Sequence, residues 1–307
     1  MDRLPPSCSD HARAQREPEV AGFFERRTCA VQHVVSDPDT GACAIIDPVL
    51  DYDEKSGSTA TASADALLRY VSEQNLHVAW VLDTHPHADH LSAAAYLREK
   101  TGAPTGIGER MVEVQRLWKD IYNLPDAFAP DGSQWDRLVA DGDRFAIGNL
   151  EAQALFSPGH TLASVTYVVG DTAFVHDTLL MPDYGTARCD FPGGDARQLW
   201  RTLQRILSLP DDTRLFTGHD YMPGGRAPTW ASTVAEQRAH NVHLQQAQSE
   251  GEFVALREAR DATLPLPKLI LHALQVNIAG GRLSTPEDNG RRYLKIPLNA
   301  FPAARWD

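Results

Sequence analysis

The chain has 307 residues, 42% hydrophobic and 23% charged, and its 41 acidic against 29 basic side chains give a net charge of −12. That composition supports a sizeable globular core, while a field of this sign repels polyanions and so excludes nucleic acid as an expected partner. No run of about 18 apolar residues is present, and the opening MDRLPPSCSDHARAQREPEV lacks a signal peptide's apolar stretch, so a cytoplasmic protein with no membrane contact is expected.

Residues 1–22 carry Pro5, Pro6 and Pro18 without hydrophobic periodicity and are expected to form a flexible lead-in. Residues 23–307 are expected to be one domain with a helical C-terminal extension. CAVQHVV and CAIID read as two strands joined by the turn-rich SDPDTG, as in a hairpin. SADALLRYVSEQ reads as a helix with Ser63 as N-cap, followed by the buried-strand run HVAWVLDT. LSAAAYLREKTG reads as a second helix closed by Gly102. Strands are expected at RFAIGN, EAQALFS, SVTYVVG, TAFVHD and TRLFTGHD, with a helix over DARQLWRTLQRILSL between the last two. The stretch from Trp230 to Ala262 reads as helical and surface-exposed, and PEDNGRRYLKIPLN as turn and short strand. The four cysteines form no CxxC pair and read as reduced thiols.

Between the end of HVAWVLDT and the helix that follows lies His85-Pro86-His87-Ala88-Asp89-His90. Three imidazoles and a carboxylate within six residues, directly after an apolar strand, place several metal-ligating groups around one point at a sheet rim. His160 in SPGHT, Asp177 after TAFVH, and His219 after TRLFTG also sit at strand ends. Alone, each suits an ordinary surface or hydrogen-bonding role. Together they can converge on one edge of a folded sheet, where α/β proteins keep their sites.

THPHADH, SPGHT, HDT and GHDY occur in an order that resembles the metallo-β-lactamase superfamily over about residues 28–225. The resemblance implies an α/β fold, a four-layer αββα sandwich with a metal site at one edge of two packed sheets. The loop DTLLMPDYGTARCDF looks most like the persulfide dioxygenase branch, and also like its glyoxalase II cousins.

Two chemistries fit these residues. In the dioxygenase reading, the resemblance implies one Fe(II) per chain held by His85, His160 and Asp177, a two-histidine, one-carboxylate face with open positions. His87, Asp89, His90 and His219 then surround the ligands. The substrates are glutathione persulfide, or a similar small persulfide, and O2; the products are sulfite and thiol. In the hydrolase reading, His85, His87 and His160 bind one Zn(II), Asp89, His90 and His219 bind a second, and Asp177 bridges them, so that an activated water attacks a thioester or lactone carbonyl. A metal- or sulfide-responsive binding protein without turnover is the reading from outside enzymology.

By the same resemblance, Arg188 in GTARCDF salt-bridges a glutathione carboxylate, Asp190 orients it, and Thr161 and Tyr221 lie near the glutathione or the iron. The segment from Asp177 to Arg188 is about two residues longer than in the mitochondrial branch, which reshapes the substrate pocket. No rhodanese-like second domain with a cysteine loop is seen, so the persulfide is expected to arrive either as a small molecule or from a separate sulfurtransferase, and the resemblance implies a homodimer. Cys189 beside Arg188 reads as a packing residue, with a persulfide relay as the other role. Trp118, Trp135, Trp200 and Trp230 read as core or interface aromatics.

Overall fold

The computed structural model describes residues 17–301. The chain begins with strands β1 (Glu19–Phe24), β2 (Val31–Ser36) and β3 (Ala42–Ile46), then β4 (Val49–Asp53), β5 (Ser58–Ala60), α1 (Ala62–Glu73) and β6 (His77–Leu82). The short β7 (Leu91–Ser92) leads into α2 (Ala94–Thr101), β8 (Thr105–Gly108), α3 (Met111–Tyr122) and β9 (Arg137–Val139). The second half carries β10 (Arg144–Ile147), β11 (Leu150–Phe156), β12 (Val165–Val169), β13 (Thr172–His176), α4 (Ala196–Ile206), β14 (Arg214–Thr217) and β15 (Ala231–Thr233). It ends with α5 (Val234–His240), α6 (Val242–Gln246), α7 (Glu250–Asp261) and α8 (Ile270–Asn277).

Two six-stranded sheets form, in the orders β1-β2-β3-β6-β8-β9 and β10-β11-β12-β13-β14-β15, beside a small sheet β5-β4-β7. Three apolar layers hold them. Ile46, Leu82, Phe145, Tyr167 and Phe174 interdigitate between the large sheets. Ile45, Leu67, Leu97 and Ala273 seal the outer face of the first sheet under α1, α2 and α8. Val175, Leu203, Leu215 and Phe253 do the same for the second under α4 and α7. The result is the expected αββα sandwich.

The pairing explains where the polar residues gather. β3 and β6 are parallel neighbours, so Asp47 and Thr84-His85 leave the first sheet side by side; β13 and β14 are parallel neighbours in the second sheet, so Asp177 and His219 do the same. Both exits lie at strand C-termini, the usual place for a site in such sheets.

Local differences from the sequence reading have physical causes. β1 begins inside the stretch expected as lead-in, because VAGFF pairs antiparallel with β2; the rest of that expectation, through residue 16, lies outside the described residues. The hairpin of β2 and β3 forms as expected. Ser63 does not cap α1: its hydroxyl and amide bond Asp51, and Thr61 occupies the cap. Gly102 closes α2 at φ 72, and Asp195 caps α4 by accepting from the amides of Arg197 and Gln198. The 230–262 segment is not simply exposed, since it opens with β15 and buries Asn241, Phe253 and Arg257. No strand forms in the described part of the tail after α8. Trp118 and Trp135 are buried, and Trp200 and Trp230 pack against the core.

Candidate metal centre

Ligand atoms of His85, His160 and Asp177 all lie within 4.8 Å of one another. The Nε2 atoms of His85 and His160 stand 3.7 and 3.5 Å from Asp177 Oδ2. Each ring is turned by a bond to its other nitrogen. His160 Nδ1 donates to the Arg188 carbonyl at 2.9 Å; His85 Nδ1 donates to Thr84 Oγ1 at 2.9 Å, and that hydroxyl donates onward to Asp47 at 2.8 Å. With Nδ1 protonated, Nε2 of each ring presents a lone pair toward Asp177. Burial pushes both imidazoles below their ordinary pKa and so keeps them neutral, while Asp177 stays ionised because His219, hydrogen-bonded to it, outweighs the cost of burial.

His85 Nε2 is buried and has no hydrogen-bond partner among the described residues. A buried polar atom left this way is costly, and two neutral imidazoles facing one carboxylate are a donor set that a divalent cation satisfies. The residues therefore fit a metal ion.

The remaining expected residues are placed differently. His219 spans two carboxylates, its Nδ1 donating to Asp177 Oδ1 at 2.6 Å and its Nε2 to Asp89 Oδ2 at 2.7 Å. Burial opposes a charge on this ring, but Asp177 and Asp89 overcome it and raise its pKa well above the ordinary value. His87 Nε2 donates to Asp47 at 3.1 Å, and that carboxylate raises its pKa to about 9 against the effect of burial. His90 donates from Nδ1 to the Leu91 carbonyl. His87, Asp89 and His90 form a separate group whose ligand atoms also lie within 4.8 Å of one another.

A cleft of about 600 Å³ opens over the site, with Asp89, His160 and Asp177 at its base and Tyr184, Arg188, Phe191, Tyr221 and residues 264–269 in its walls. Arg188 is committed within the protein: it grips Asp190 with Nε and Nη2 at 2.7 and 2.8 Å, donates from Nη1 to the Pro265 carbonyl at 2.6 Å, and lies over the Phe191 ring. Tyr221 stacks on His219 and contacts Tyr184. Thr161 is buried and bonds Ser164 at 2.9 Å. Cys189 is buried, and desolvation raises its thiol pKa, which suits packing rather than a relay.

Sequence reasoning missed the residues that hold this loop system from behind. Asp47, at φ +52 after β3, accepts from the Thr84 amide and hydroxyl and from His87. Asn277 on α8 donates to the carbonyls of His87 and His90 at 2.7 and 2.8 Å and accepts from the Ser92 amide at 2.8 Å. Asp47 shared the strand-end signal of the histidines; Asn277 carried none.

A family model described as the metallo-beta-lactamase superfamily matches residues 33–219, which includes every one of these histidines and both carboxylates of the cleft floor. The chain belongs to the metallo-β-lactamase superfamily. Within it, the chain is 66% identical over 293 residues to "Beta-lactamase hydrolase-like protein" of Xylella fastidiosa (strain 9a5c), covering 95% of this chain and 68% of the relative. It is 30% identical over 267 residues to human "Persulfide dioxygenase ETHE1, mitochondrial", covering 86% of this chain and 89% of the relative. Among solved structures, ETHE1 from Myxococcus xanthus superposes with a TM-score of 0.68 at 32% identity, covering 86% of this chain and all of that one. No helix among the described residues is long and apolar enough to cross a membrane.

Proposed function

We propose that this protein is a mononuclear, iron-dependent persulfide dioxygenase, with His85, His160 and Asp177 as the ligands. The observation that carries this reading is the donor set itself: two imidazoles and one carboxylate, His85, His160 and Asp177, with ligand atoms within 4.8 Å of one another, the two-histidine, one-carboxylate face that suits Fe(II) and leaves positions open. The likeness to the human persulfide dioxygenase supports the same reading. Fe(II), when bound, supplies open coordination positions and the electron transfer that lets O2 react with a sulfur atom. Overall, a persulfide RSSH, O2 and water give RSH, sulfite and two protons, with four electrons passing from the outer sulfur to O2.

The chain's own residues bind, orient and exclude water. Thr84 and the Arg188 carbonyl fix the faces of His85 and His160. His219 spreads positive charge between Asp177 and Asp89 and keeps both ionised at the cleft floor. Phe191, against the His160 ring, and Tyr221, over His219, cover the floor with apolar surface. Glutathione persulfide, or a similar small persulfide, has room in the cleft, and Arg260, which lies over the Tyr184 ring and makes no ion pair among the described residues, gives its carboxylates a cation.

Metal titration under anaerobic conditions tests the reading: Fe(II) or Co(II) saturates at one ion per chain. Saturation at two ions would favour the second reading, a zinc hydrolase that uses the His87, Asp89 and His90 group and agrees with the name of the Xylella relative.

Arg188 acts here by holding Asp190 and the 264–267 wall in place. Arg188→Ala is therefore expected to raise KM by about tenfold, the equivalent of one or two hydrogen bonds, at unchanged metal content. Steady-state kinetics beside metal analysis check this, and an unchanged KM removes the side chain from substrate binding.

A further inference from the structure

The Arg188–Cys189 peptide group is held from both sides. Its carbonyl accepts the His160 Nδ1 proton at 2.9 Å, and its N–H donates to Asp261 Oδ2 at 2.9 Å. Asp261 and its partner Arg257, one turn earlier on α7, are both buried, with side chains 5% and 1% exposed. Arg257 also donates to the Thr186 carbonyl at 3.3 Å, and the Thr186 amide donates to His243 Nδ1 at 2.9 Å, so the substrate loop is tied to the C-terminal helices at successive points. Both members of the ion pair lie beyond residue 219, where the match to the superfamily ends.

We infer that Asp261 is a positioning residue for His160, acting through the Arg188–Cys189 peptide as a carboxylate–peptide–histidine relay. An anionic acceptor on the peptide N–H polarises the amide and strengthens its carbonyl as an acceptor, since hydrogen bonds in series reinforce one another where the dielectric is low. The carbonyl then holds the His160 proton on Nδ1 more firmly, which fixes the ring's tautomer and makes Nε2 a better donor to a metal. A carboxylate bonded directly to a ligating imidazole does this in one step; here one peptide unit is interposed.

A purely stabilising role explains the pair poorly. Taking Arg257 and Asp261 out of water opposes folding, and such pairs are frequently replaced by apolar residues without loss of stability. Arg257 sets a guanidinium directly against the Asp261 carboxylate, whose side chain is 5% exposed.

The inference rests on His160 being a metal ligand, as the proposed function does, and His160→Ala in the same titration separates the two. Asp261→Asn removes the charge and keeps the shape. Because it leaves Arg257 buried and unpaired, a second variant, Arg257→Met with Asp261→Leu, removes the pair together. For each protein, Co(II) affinity is measured by competition with a chromogenic chelator, the Co(II) d–d spectrum is recorded, and the apoprotein is unfolded in urea.

The expected result is a loss of about 10- to 100-fold in Co(II) affinity in both Asp261 variants, with a shifted d–d spectrum and an apoprotein of the double variant that unfolds near the wild-type midpoint. Wild-type affinity and spectrum in a folded variant overturn the relay. Failure of both variants to fold assigns the pair to stability and also overturns it. An unchanged affinity in His160→Ala means instead that the ligand assignment itself is wrong.

Discussion

His160→Ala is expected to abolish metal retention and to lower kcat/KM by at least about a thousandfold. The magnitude follows from the several kcal/mol that a bound metal supplies to a transition state, at 1.36 kcal/mol per factor of ten. The structure gives no substitute for the missing nitrogen: His85 reaches the site through one Nε2, Asp177 already shares its other oxygen with His219, and His87 is turned onto Asp47. The fold is expected to survive, because His160 sits at the cleft floor and its own hydrogen bond goes only to the Arg188 carbonyl. Metal analysis of the purified variant, with circular dichroism as the folding control, checks this. Normal metal content in a folded His160→Ala protein would remove His160 from the ligand set.

Gly159→Ala is expected to be the most damaging backbone change near the site. Gly159 adopts φ +135, a region that side-chain-bearing residues rarely enter, and an added Cβ would fall 2.4 Å from the backbone N and Cα of Leu199 on α4. Neither neighbour can move, since α4 is anchored by its Asp195 cap and the Asp195 amide donates back to the Gly159 carbonyl. Backbone strain and overpacking together imply a loss of about 3 kcal/mol and a melting temperature lower by roughly 10 °C. His160 is the next residue, so metal affinity should fall with stability. Thermal unfolding with and without metal checks both, and a wild-type melting temperature would show that the SPGHT loop has room the geometry denies.

The sequence revealed the parts of this site that lie next to each other in the chain or repeat a local signal. The HPHADH cluster follows an apolar strand, and His160, Asp177 and His219 each close another, so the convergence of β-strand ends was readable before any coordinates. What could not be read is how the lone pairs are used. That His219 spends both nitrogens on Asp177 and Asp89 depends on the side-by-side exit of β13 and β14 and on the approach of the first sheet's loop. The resemblance implies that Arg188 meets a glutathione carboxylate with Asp190 orienting it, and the fold does place Asp190, two residues away, on its guanidinium fork; the Pro265 carbonyl on Nη1 comes from a distant segment and carries no sequence signal.

Asn277 and Asp261 were invisible for a different reason. Each lies in an unremarkable helical segment, more than 70 residues from the loop it holds, and only the docking of α7 and α8 brings them there. The Ser63 cap failed because Asp51 on β4 competes for its hydroxyl, a tertiary contact that overrides a local preference.

Oxygen uptake decides the central claim. Protein purified anaerobically and loaded with Fe(II) is mixed with glutathione persulfide, O2 consumption and sulfite are recorded, and S-lactoylglutathione hydrolysis is followed in parallel with the zinc-loaded form. The account predicts one O2 consumed for each sulfite formed, with no appreciable thioester hydrolysis. Hydrolysis without O2 uptake would contradict it and make the protein a zinc hydrolase.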